Sequence, residues 1–594
     1  MRTPCRFIRW PAAVATSCLL LASAVVQARP AAEPVDLIVH NARVWTVDDA
    51  HPLAQAVAVR GNRIVKVGDD AEVLALKGAR TRTLDVQGRL VLPGFIDGHT
   101  HFENAADWFY EARLVDVNDE AGMLERLAET AARVPEGMWI TGYDWGSFAA
   151  AAARRAGDRG FVGFAPSLAA VDRVTSRHPV LLRRHDGSYF VNSLGMRLLR
   201  IDRNSLNPSN GEYQRDPATG ELTGMLFGSA GGRMAQTLPP PSRARTLIAA
   251  EWLVKDLNRQ GITGIHDIAR VEAISQQQIY HTHVERSNSD LSIFTDLRDR
   301  GRLTLRVNPI LTMANWRDYA SHGIVPQGGD DMIRYGGLKA FIDGFYMEEP
   351  YLDNPQNAGG LTFRVVDEAS MERDLVAADR LGFDPAVHVI GDKAHRLLLD
   401  WYETAVARNP ARDRRLRVIH AWFPNAHDIE RAGRLGAVAD ITPYHLMREK
   451  KIVDAKLGPT RAQTAFAWRT MIDNGIRLNI VSDWPGSFDR GNIAPINPME
   501  NLWYALTRQD VGGDPAGGWR PEQALTIEEA IRAYTINPAH TTHEQAIRGS
   551  ITEGKLADLI VLSDNILELA PAQLLDTRVL YTIFDGRVAY EAVP

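Results

Sequence analysis

The stretch Val91-Leu-Pro-Gly-Phe-Ile-Asp-Gly-His-Thr-His101 decides how this chain is interpreted. The apolar run from Leu90 to Ile96 has the length of a buried strand, and His99 and His101 lie at its carboxyl end. Because alternate residues of a strand face the same side, the two imidazoles point one way and Thr100 points the other. Two imidazoles that converge from the end of a strand can bind one metal ion. The stretch therefore predicts a metal site, provided that the rest of the chain supplies further ligands.

The composition is typical of a large globular protein. With 594 residues, of which 45% are hydrophobic and 24% charged, the chain has room for several domains or for one large enzyme domain with additions. The net charge of −6 argues against a nucleic-acid partner, which would favour a basic face. We therefore expect a small-molecule substrate, and composition leaves a homo-oligomer open.

The first 28 residues have the pattern of an export signal. Three arginines precede an apolar run from Pro11 to Val26, and Val26-Gln27-Ala28 fits a cleavage site. A membrane anchor would need about 20 uninterrupted apolar residues, which this run lacks. We predict a signal peptide over residues 1–28, a periplasmic or secreted protein, and no membrane association after cleavage. Both cysteines of the chain, Cys5 and Cys18, fall inside this segment, so the mature protein would offer no thiolate ligand.

We expect the mature protein to begin near Arg29 and to be found in the periplasm or the medium, because signal peptidase cleaves after such small residues. Amino-terminal sequencing of protein from fractionated cells measures this directly. An intact Met1 on protein from the cytosolic fraction would contradict it.

Both ends of the mature chain are rich in short β-strand patterns. They share one phrase, Asp-Leu-Ile-Val, which stands at residues 36–39 and again at 558–561. The similar strand patterns at both ends predict one β-sandwich made of residues 29–92 and 549–594. A metal-dependent hydrolase domain over residues 93–548 would then be inserted between its two parts.

Between these ends, short apolar strand patterns alternate with longer helical stretches, which is typical of parallel β/α units. The candidate strands are Leu90–Ile96, Pro179–Leu182, Gly261–His266, Arg306–Leu311, Gly337–Phe341, Ala386–Val389, Leu416–His420, Ala437–Ile441 and Leu478–Val481. These nine exceed the eight of a (β/α)8 TIM-like barrel, so at least one belongs elsewhere. We expect it within about 110–250, a stretch that has the composition of an insertion over the barrel mouth.

Four further candidate ligands lie within or just after these strands: Lys339, His388, His420 and Asp483. They are separated by 49, 32 and 63 positions. One β/α unit takes roughly 30 to 40 residues, so His388 and His420 suit adjacent strands. In a (β/α)8 barrel the carboxyl ends of all strands face one mouth, where active sites are formed. Residues far apart in the sequence would therefore converge there with His99 and His101.

Several phrases spread over most of the mature chain carry a family resemblance. They are Pro93-Gly-Phe-Ile-Asp-Gly-His-Thr-His101, Trp139-Ile-Thr-Gly-Tyr-Asp-Trp145, Lys339-Ala-Phe-Ile-Asp-Gly344, His388-Val-Ile-Gly-Asp-Lys-Ala394, His420, Ser482-Asp483-Trp-Pro485 and Gly554-Lys-Leu-Ala-Asp558. Together they resemble the amidohydrolase superfamily, and specifically its YtcJ-like branch, amidohydrolase family 3. The resemblance implies that His99 and His101 bind one metal, and that the His388 and His420 positions bind a second. It also implies that Lys339 bridges both metals as a carbamate, and that Asp483 touches one metal and shuttles protons.

Elementary chemistry agrees with a carboxylated lysine. The ammonium of Lys339 has only donors and an ordinary pKa near 10.4, so it cannot ligate a cation unchanged. Carboxylated by CO2, it becomes an anionic oxygen ligand that can span two ions. One or two divalent metals, zinc being the first expectation, would lower the pKa of bound water toward about 7 and so supply hydroxide. Asp483 can accept a proton and pass it to a leaving amine.

Two positions depart from the family pattern. Family members often carry Glu before the His420 position, where this chain has Ile419, and Ser188 stands where a His is expected. Tyr444 and His445 match a place where relatives carry a substrate-facing His, so His445 is a second candidate catalytic residue. These departures leave the ligand set intact and bear on the identity of the substrate.

The remaining histidines near the motifs have simpler explanations. His266 is expected in the core or beside the site without ligating, because relatives place a non-ligand there. His395 lies seven positions after His388 and is expected on a helix away from the mouth. His281 and His283 have polar surroundings and are expected at the surface.

Three other side chains adjoin the predicted ligands. Asp97 shares the strand parity of His99, and we expect it to orient a ligand rather than to bind metal. Trp422 and Trp484 stand close in sequence to His420 and Asp483, and we expect both indoles near the substrate.

We interpret the chain as an exported metal-dependent amidohydrolase that cleaves an amide-type C–N bond of a small organic molecule through a metal-activated hydroxide. One alternative is a lactonase or esterase on the same barrel, which a panel of N-acyl amines and lactones would separate. The other is a periplasmic ligand-binding protein without turnover, which metal analysis and a hydrolysis assay would separate.

Overall fold

The computed structural model describes residues 34–593 except for the segments 115–116, 144, 147–163, 185–186, 239–241, 270–289, 345–351, 353–366 and 486–495. The predicted signal peptide, His281 and His283 lie outside the described residues. Within the described part, no helix is both long and apolar enough to cross a membrane.

Eight parallel strands form the predicted barrel. In chain order they are Phe95–Thr100, Ile262–Ile268, Arg306–Thr312, Gly337–Phe341, Pro385–Val389, Arg417–His420, Val438–Ile441 and Arg477–Ile480, called barrel strands 1 to 8 below. Each strand pairs in parallel with the next one in this order. Since both faces of such a sheet are covered, almost every residue of these strands is buried, the polar ones included.

Barrel strands 1 and 8 meet at their carboxyl ends through a short junction that we call the seam. The backbone N–H of Asp483 donates to the carbonyl of His99 at 3.0 Å, and that of His101 donates to the carbonyl of Trp484 at 2.9 Å. Thr100 and Trp484 pair as an isolated parallel bridge. The seam therefore brings both histidines of the opening motif beside Asp483.

The run expected as one strand over Leu90–Ile96 is in fact two strands. Leu90–Pro93 pairs with Leu559–Leu562 in the sandwich, and barrel strand 1 begins only at Phe95. Gly94 separates them, and a Cβ at this position would collide with the side chain of Thr263. Strand 1 continues to Thr100, so His99 lies within it rather than after it.

A separate six-stranded sheet follows barrel strand 1 in the chain. Its strands are Glu111–Arg113, Ile140–Tyr143, Val180–Arg183, Tyr189–Val191, Gly211–Arg215 and Leu222–Gly228. The third of them corresponds to the candidate Pro179–Leu182, so the prediction that the surplus strand lies within 110–250 is confirmed. This sheet has its own buried cluster, which includes Trp139, Leu181 and Tyr213.

Of two further sheets, one uses strands from the amino-terminal end alone, and the other combines strands from both ends of the chain. The four-stranded sheet contains Leu37–His40, Ala56–Arg60, Arg63–Gly68 and Arg82–Asp85. The six-stranded sheet contains Arg43–Trp45, Leu53–Ala54, Leu90–Pro93, Leu559–Leu562, Val579–Phe584 and Arg587–Glu591. They share a buried cluster that includes Val39, Val57 and Val561. The expected β-sandwich fold is therefore present beside the barrel.

Helices connect and cover the strands. Those of the α type are Asp70–Leu74, Phe102–Ala106, Glu120–Arg133, Leu168–Val174, Ser193–Leu198, Ser229–Thr237, Arg243–Arg259, Asp290–Asp299, Trp316–Tyr319, Glu368–Arg380, Asp392–Arg408, Ala426–Arg434, Pro443–Ala462, Trp468–Asp473, Pro498–Thr507, Ile527–Ala533 and Ile536–Thr541. Their starts follow ordinary capping chemistry. The Asn425 side chain accepts from the backbone N–H of Asp428, and Thr526 forms a capping box with Glu529.

Candidate metal centre

The predicted ligands lie at the carboxyl ends of their barrel strands. His99 lies on strand 1, Lys339 on strand 4, His388 on strand 5 and His420 at the end of strand 6. Asp483 follows strand 8 in the seam. Parallel strands present these ends at one mouth, and the fold therefore collects the side chains on one side of the barrel.

The carboxylate of Asp483 lies among three imidazoles. Its Oδ1 is 3.2 Å from His99 Nε2 and 3.1 Å from His101 Nε2. Its Oδ2 is 3.4 Å from His445 Nε2. Donor atoms of His99, His420 and Asp483 lie within 4.8 Å of one another, close enough to share a metal ion.

Imidazole rings in tilted and edge-on contact link the two predicted halves of the centre. The ring of His420 is 5.4 Å from that of His99 and 4.5 Å from that of His388, measured between centroids. It is also 5.3 Å from the ring of His445, which lies in the first turn of the helix after strand 7. His388 Nε2 is 2.9 Å from the carbonyl oxygen of Gly344. All five predicted protein ligands other than Lys339 therefore belong to one connected group.

Left-handed backbone turns two of these side chains toward the mouth. His420 has φ 73° and Asp483 has φ 55°, conformations that cost a non-glycine residue about 1–2 kcal/mol. Ile419 packs inside the barrel with Ile268 and Ile310. If side chains alternated regularly to the end of this strand, His420 would therefore point out of the barrel. The left-handed φ at the strand end turns its side chain toward the mouth instead. Such strain is concentrated at functional sites.

Lys339 is buried, at 3% exposure. Its Nζ is 4.7 Å from the centre of the Phe341 ring, and it makes no hydrogen bond or ion pair with a residue that the structure describes. Burial lowers the pKa of Lys339 to about 7, although Asp483 opposes this shift. A large share of neutral amine is therefore present near neutral pH.

The buried imidazoles are in the form that binds metals. Burial lowers the pKa of His388 and of His445 to about 3, and holds those of His99 and His420 well below the ordinary value. Burial raises the pKa of Asp483, but the facing imidazoles of the centre outweigh it and hold that pKa well below its usual range. Neutral imidazoles and an ionised carboxylate are the donor set that a divalent cation requires.

The residues present therefore fit a divalent metal centre. Within the described part of the chain, His99 Nδ1 and His445 Nδ1 are buried without a hydrogen-bond partner, as expected for nitrogens reserved for another ligand. Four imidazoles and one carboxylate at one mouth suit zinc or a similar ion. Lys339 lies in the same buried region and interacts electrostatically with His99 and His388.

Asp97 does not belong to the ligand group. It is fully buried, and its Oδ1 accepts hydrogen bonds from the backbone N–H groups of His99 and Ser482, each at 3.1 Å. Burial raises the pKa of Asp97 to about 7, against the opposing effect of these bonds. Asp97 therefore lies outside the donor group, as expected, and it contacts His99 through the backbone N–H.

The two described histidines that were expected not to bind metal lie outside the centre. His266 is fully buried, and its Nδ1 faces the guanidinium of Arg417 at 3.4 Å within the barrel. His395 lies on the helix Asp392–Arg408, where its Nδ1 contacts the carbonyl of Gly391 at 2.7 Å. Neither shares the metal-binding group formed by described residues.

Aromatic rings form walls beside the centre. Trp422 is 1% exposed and packs edge-on against His445, with 5.3 Å between ring centres. Trp484 is 3% exposed and contacts Trp108 edge-on at 5.0 Å. Trp108 was not a sequence candidate, and its only signal is its place in the aromatic run Trp108-Phe-Tyr110 after the opening motif.

Comparison with known proteins decides the family. Residues 82–590 match the model of a protein family that is described as "Amidohydrolase family". The chain belongs to the amidohydrolase family. It is a metal-dependent hydrolase that acts on carbon–nitrogen bonds, which the family membership and the group of potential metal ligands both support.

Two curated relatives of this amidohydrolase match nearly their whole length. The N-substituted formamide deformylase of Arthrobacter pascens is 30% identical over 585 residues, which cover 94% of this chain and 98% of the relative. YtcJ of Bacillus subtilis (strain 168) is 26% identical over 567 residues, which cover 93% and 99%. The crystal structure of an uncharacterized metal-dependent hydrolase from Pyrococcus furiosus has a TM-score of 0.64 at 21% identity, over 90% of this chain and 100% of that one. The predicted YtcJ-like resemblance and the fold are both confirmed.

Proposed function

We propose that this amidohydrolase cleaves the amide C–N bond of an N-substituted formamide or similar N-acyl amine, releasing a carboxylate and an amine. The single observation that carries the proposal is the position of Asp483, whose two oxygens face His101 and His445 at 3.1 and 3.4 Å. An amine leaves only after its nitrogen gains a proton, and a carboxylate in this position can supply it. The deformylase relative, which matches over almost its full length, supports the substrate class.

His99, His101, His388, His420 and Asp483 would hold one or two divalent ions at this centre. A bound metal ion would polarise the substrate carbonyl and make a coordinated water acidic at neutral pH. The side chains of the protein would bind and orient the substrate and transfer the protons.

We propose that Lys339 carries a carboxyl group on Nζ. A neutral Lys339 amine attacks CO2, a new N–C bond forms, and one proton is lost to solvent, leaving an anionic carbamate. Burial favours the neutral amine that this reaction needs. It also penalises a protonated lysine beside divalent cations, whereas an anion there would be stabilised.

Asp483 moves the proton. It is ionised at neutral pH, so its carboxylate can accept a proton from the attacking water while that oxygen bonds to the carbonyl carbon. The C–N bond then breaks as Asp483 returns the proton to the leaving nitrogen. His445, held at 3.4 Å from Asp483 Oδ2 and packed against Trp422, is placed to hydrogen-bond the substrate or to orient this carboxylate.

The test is hydrolysis of N-benzylformamide by metal-replete protein, followed as release of formate and benzylamine by mass spectrometry. Formate release that stops when the metals are chelated supports the proposal. A panel of lactones serves as the comparison. Turnover of lactones without turnover of any N-acyl amine would assign the lactonase or esterase alternative instead.

The amine side of the substrate should carry a bulky apolar or aromatic group, because Trp422, Trp484 and Trp108 supply aromatic walls beside the centre. We expect kcat/KM for N-benzylformamide to exceed that for N-methylformamide by about tenfold or more, the scale of burying one ring. Steady-state kinetics with both amides measures the ratio. Equal values for the two substrates would contradict the prediction.

We also propose that the enzyme works outside the cytoplasm, on the strength of the charged and apolar pattern of residues 1–28. Its mature amino terminus, measured as described above, tests this independently of the substrate.

A further inference from the structure

We propose that Asp97 is a positioning residue that holds Asp483 in its proton-transferring orientation across the seam. The inference rests on the proposed function, since it concerns the group that moves the proton. It adds a residue that neither binds metal nor touches substrate.

One carboxylate oxygen of Asp97 connects the two sides of the seam. Oδ1 accepts from the N–H of His99 on strand 1 and from the N–H of Ser482 after strand 8, each at 3.1 Å. The Ser482 hydroxyl then accepts from the N–H of Trp484 at 3.0 Å. Asp97 and Ser482 thus hold the backbone on both sides of Asp483.

Asp483 needs this support because its backbone is left-handed, with φ 55°. Such a conformation persists in a non-glycine residue only where its surroundings enforce it. Direct pairing of the strands at the seam is short, with one bond from Asp483 to His99 and one from His101 to Trp484. Asp97 adds a third connection at the same level. It links Ser482, the residue before Asp483, to His99, whose Nε2 contacts Asp483 Oδ1.

The competing explanation is that Asp97 only stabilises the fold, as any buried and hydrogen-bonded carboxylate does. The two explanations differ in a double-mutant cycle. If Asp97 acts through Asp483, its removal costs nothing further once Asp483 has lost its function. If it acts through general stability, the losses multiply.

The experiment compares kcat and KM for N-benzylformamide in metal-loaded D97A, D483N and D97A/D483N. We expect D97A to lower kcat about tenfold or more with KM within about threefold, and the double variant to match D483N. A double variant slower than D483N by the full D97A factor would overturn the proposal. Metal content per chain is measured for each protein, because a D97A protein short of metal would indicate an effect on His99 instead and would equally overturn it.

D428N is the matched control. Asp428 is another buried carboxylate, bonded to Arg431 at 3.0 Å and to Asn425 at 2.7 Å on a helix outside the seam. We expect D428N to lose thermal stability and keep its kcat. S482A is the milder variant of the seam, since it removes the hydroxyl but keeps the backbone N–H. If D97A does not fold, S482A and S482A/D483N complete the same cycle with a smaller factor.

A crystal structure of the metal-loaded variant separates this proposal from the proposed function. We expect the Asp483 carboxylate in D97A, or in S482A, to be displaced from His101 and His445 relative to the wild type. An unmoved Asp483 would overturn the positioning role. If wild-type protein hydrolyses no N-acyl amine, the proposed function fails, and the comparison of the two structures still decides what Asp97 does.

Discussion

Replacing Asp483 with asparagine is expected to lower kcat by roughly a hundredfold or more, the scale of lost general acid–base catalysis, while the metals stay bound. Asparagine has the shape of aspartate and keeps an oxygen toward His99 and His101, which lie 3.2 and 3.1 Å from Oδ1. What it loses is the ability to accept and return a proton. Metal content and kcat for N-benzylformamide are the measurements.

The leaving group provides a control for the role of Asp483. N-(4-nitrophenyl)formamide releases a weakly basic amine that needs less help from a proton donor than benzylamine does. The loss of kcat in D483N should therefore be smaller for the nitrophenyl substrate. Near-normal turnover of N-benzylformamide in a fully metallated D483N protein would exclude Asp483 as the proton carrier.

Replacing Lys339 with alanine is expected to remove at least one metal per chain and most of the activity. A buried carbamate would contribute anionic oxygens to the centre, and alanine contributes none. Metal analysis of wild type and variant, together with a high-resolution map at residue 339, measures the effect. Added short carboxylic acids should restore part of the activity by supplying a substitute bridge.

Lys555→Ala is the matched control for Lys339→Ala. Lys555 is partly buried, and its Nζ donates to Ser550 Oγ at 2.7 Å near the sandwich, away from the metal centre. The control variant should keep its metals and its kcat. Two metals retained by the Lys339→Ala protein, or an unmodified amine in fully metallated wild type, would show that the proposed bridge does not exist.

Much of the architecture could be predicted from local pattern because parallel barrel strands are buried on both faces. Apolar runs such as Gly337–Phe341 and Leu478–Val481 therefore stand out, and the observed strands overlap all eight barrel candidates. The fold rule that strand ends share one mouth then places His388, His420 and Asp483 together. Residue type limits the chemistry further, since imidazole and carboxylate ligands suit divalent metals.

The sequence by itself determined the family, the barrel and the candidate ligands, because those depend on residue identity and on regular strand periodicity. Only the tertiary structure decided three features. They are the left-handed backbone at His420 and Asp483, the division of the opening strand at Gly94, and the hydrogen bond from the Ser482 N–H to Asp97. The contacts of Gly94 and of Asp97 join segments that lie far apart in the sequence. Thr263 crowds Gly94 and the loop after strand 8 reaches Asp97 only once the barrel closes, so no local pattern could reveal them.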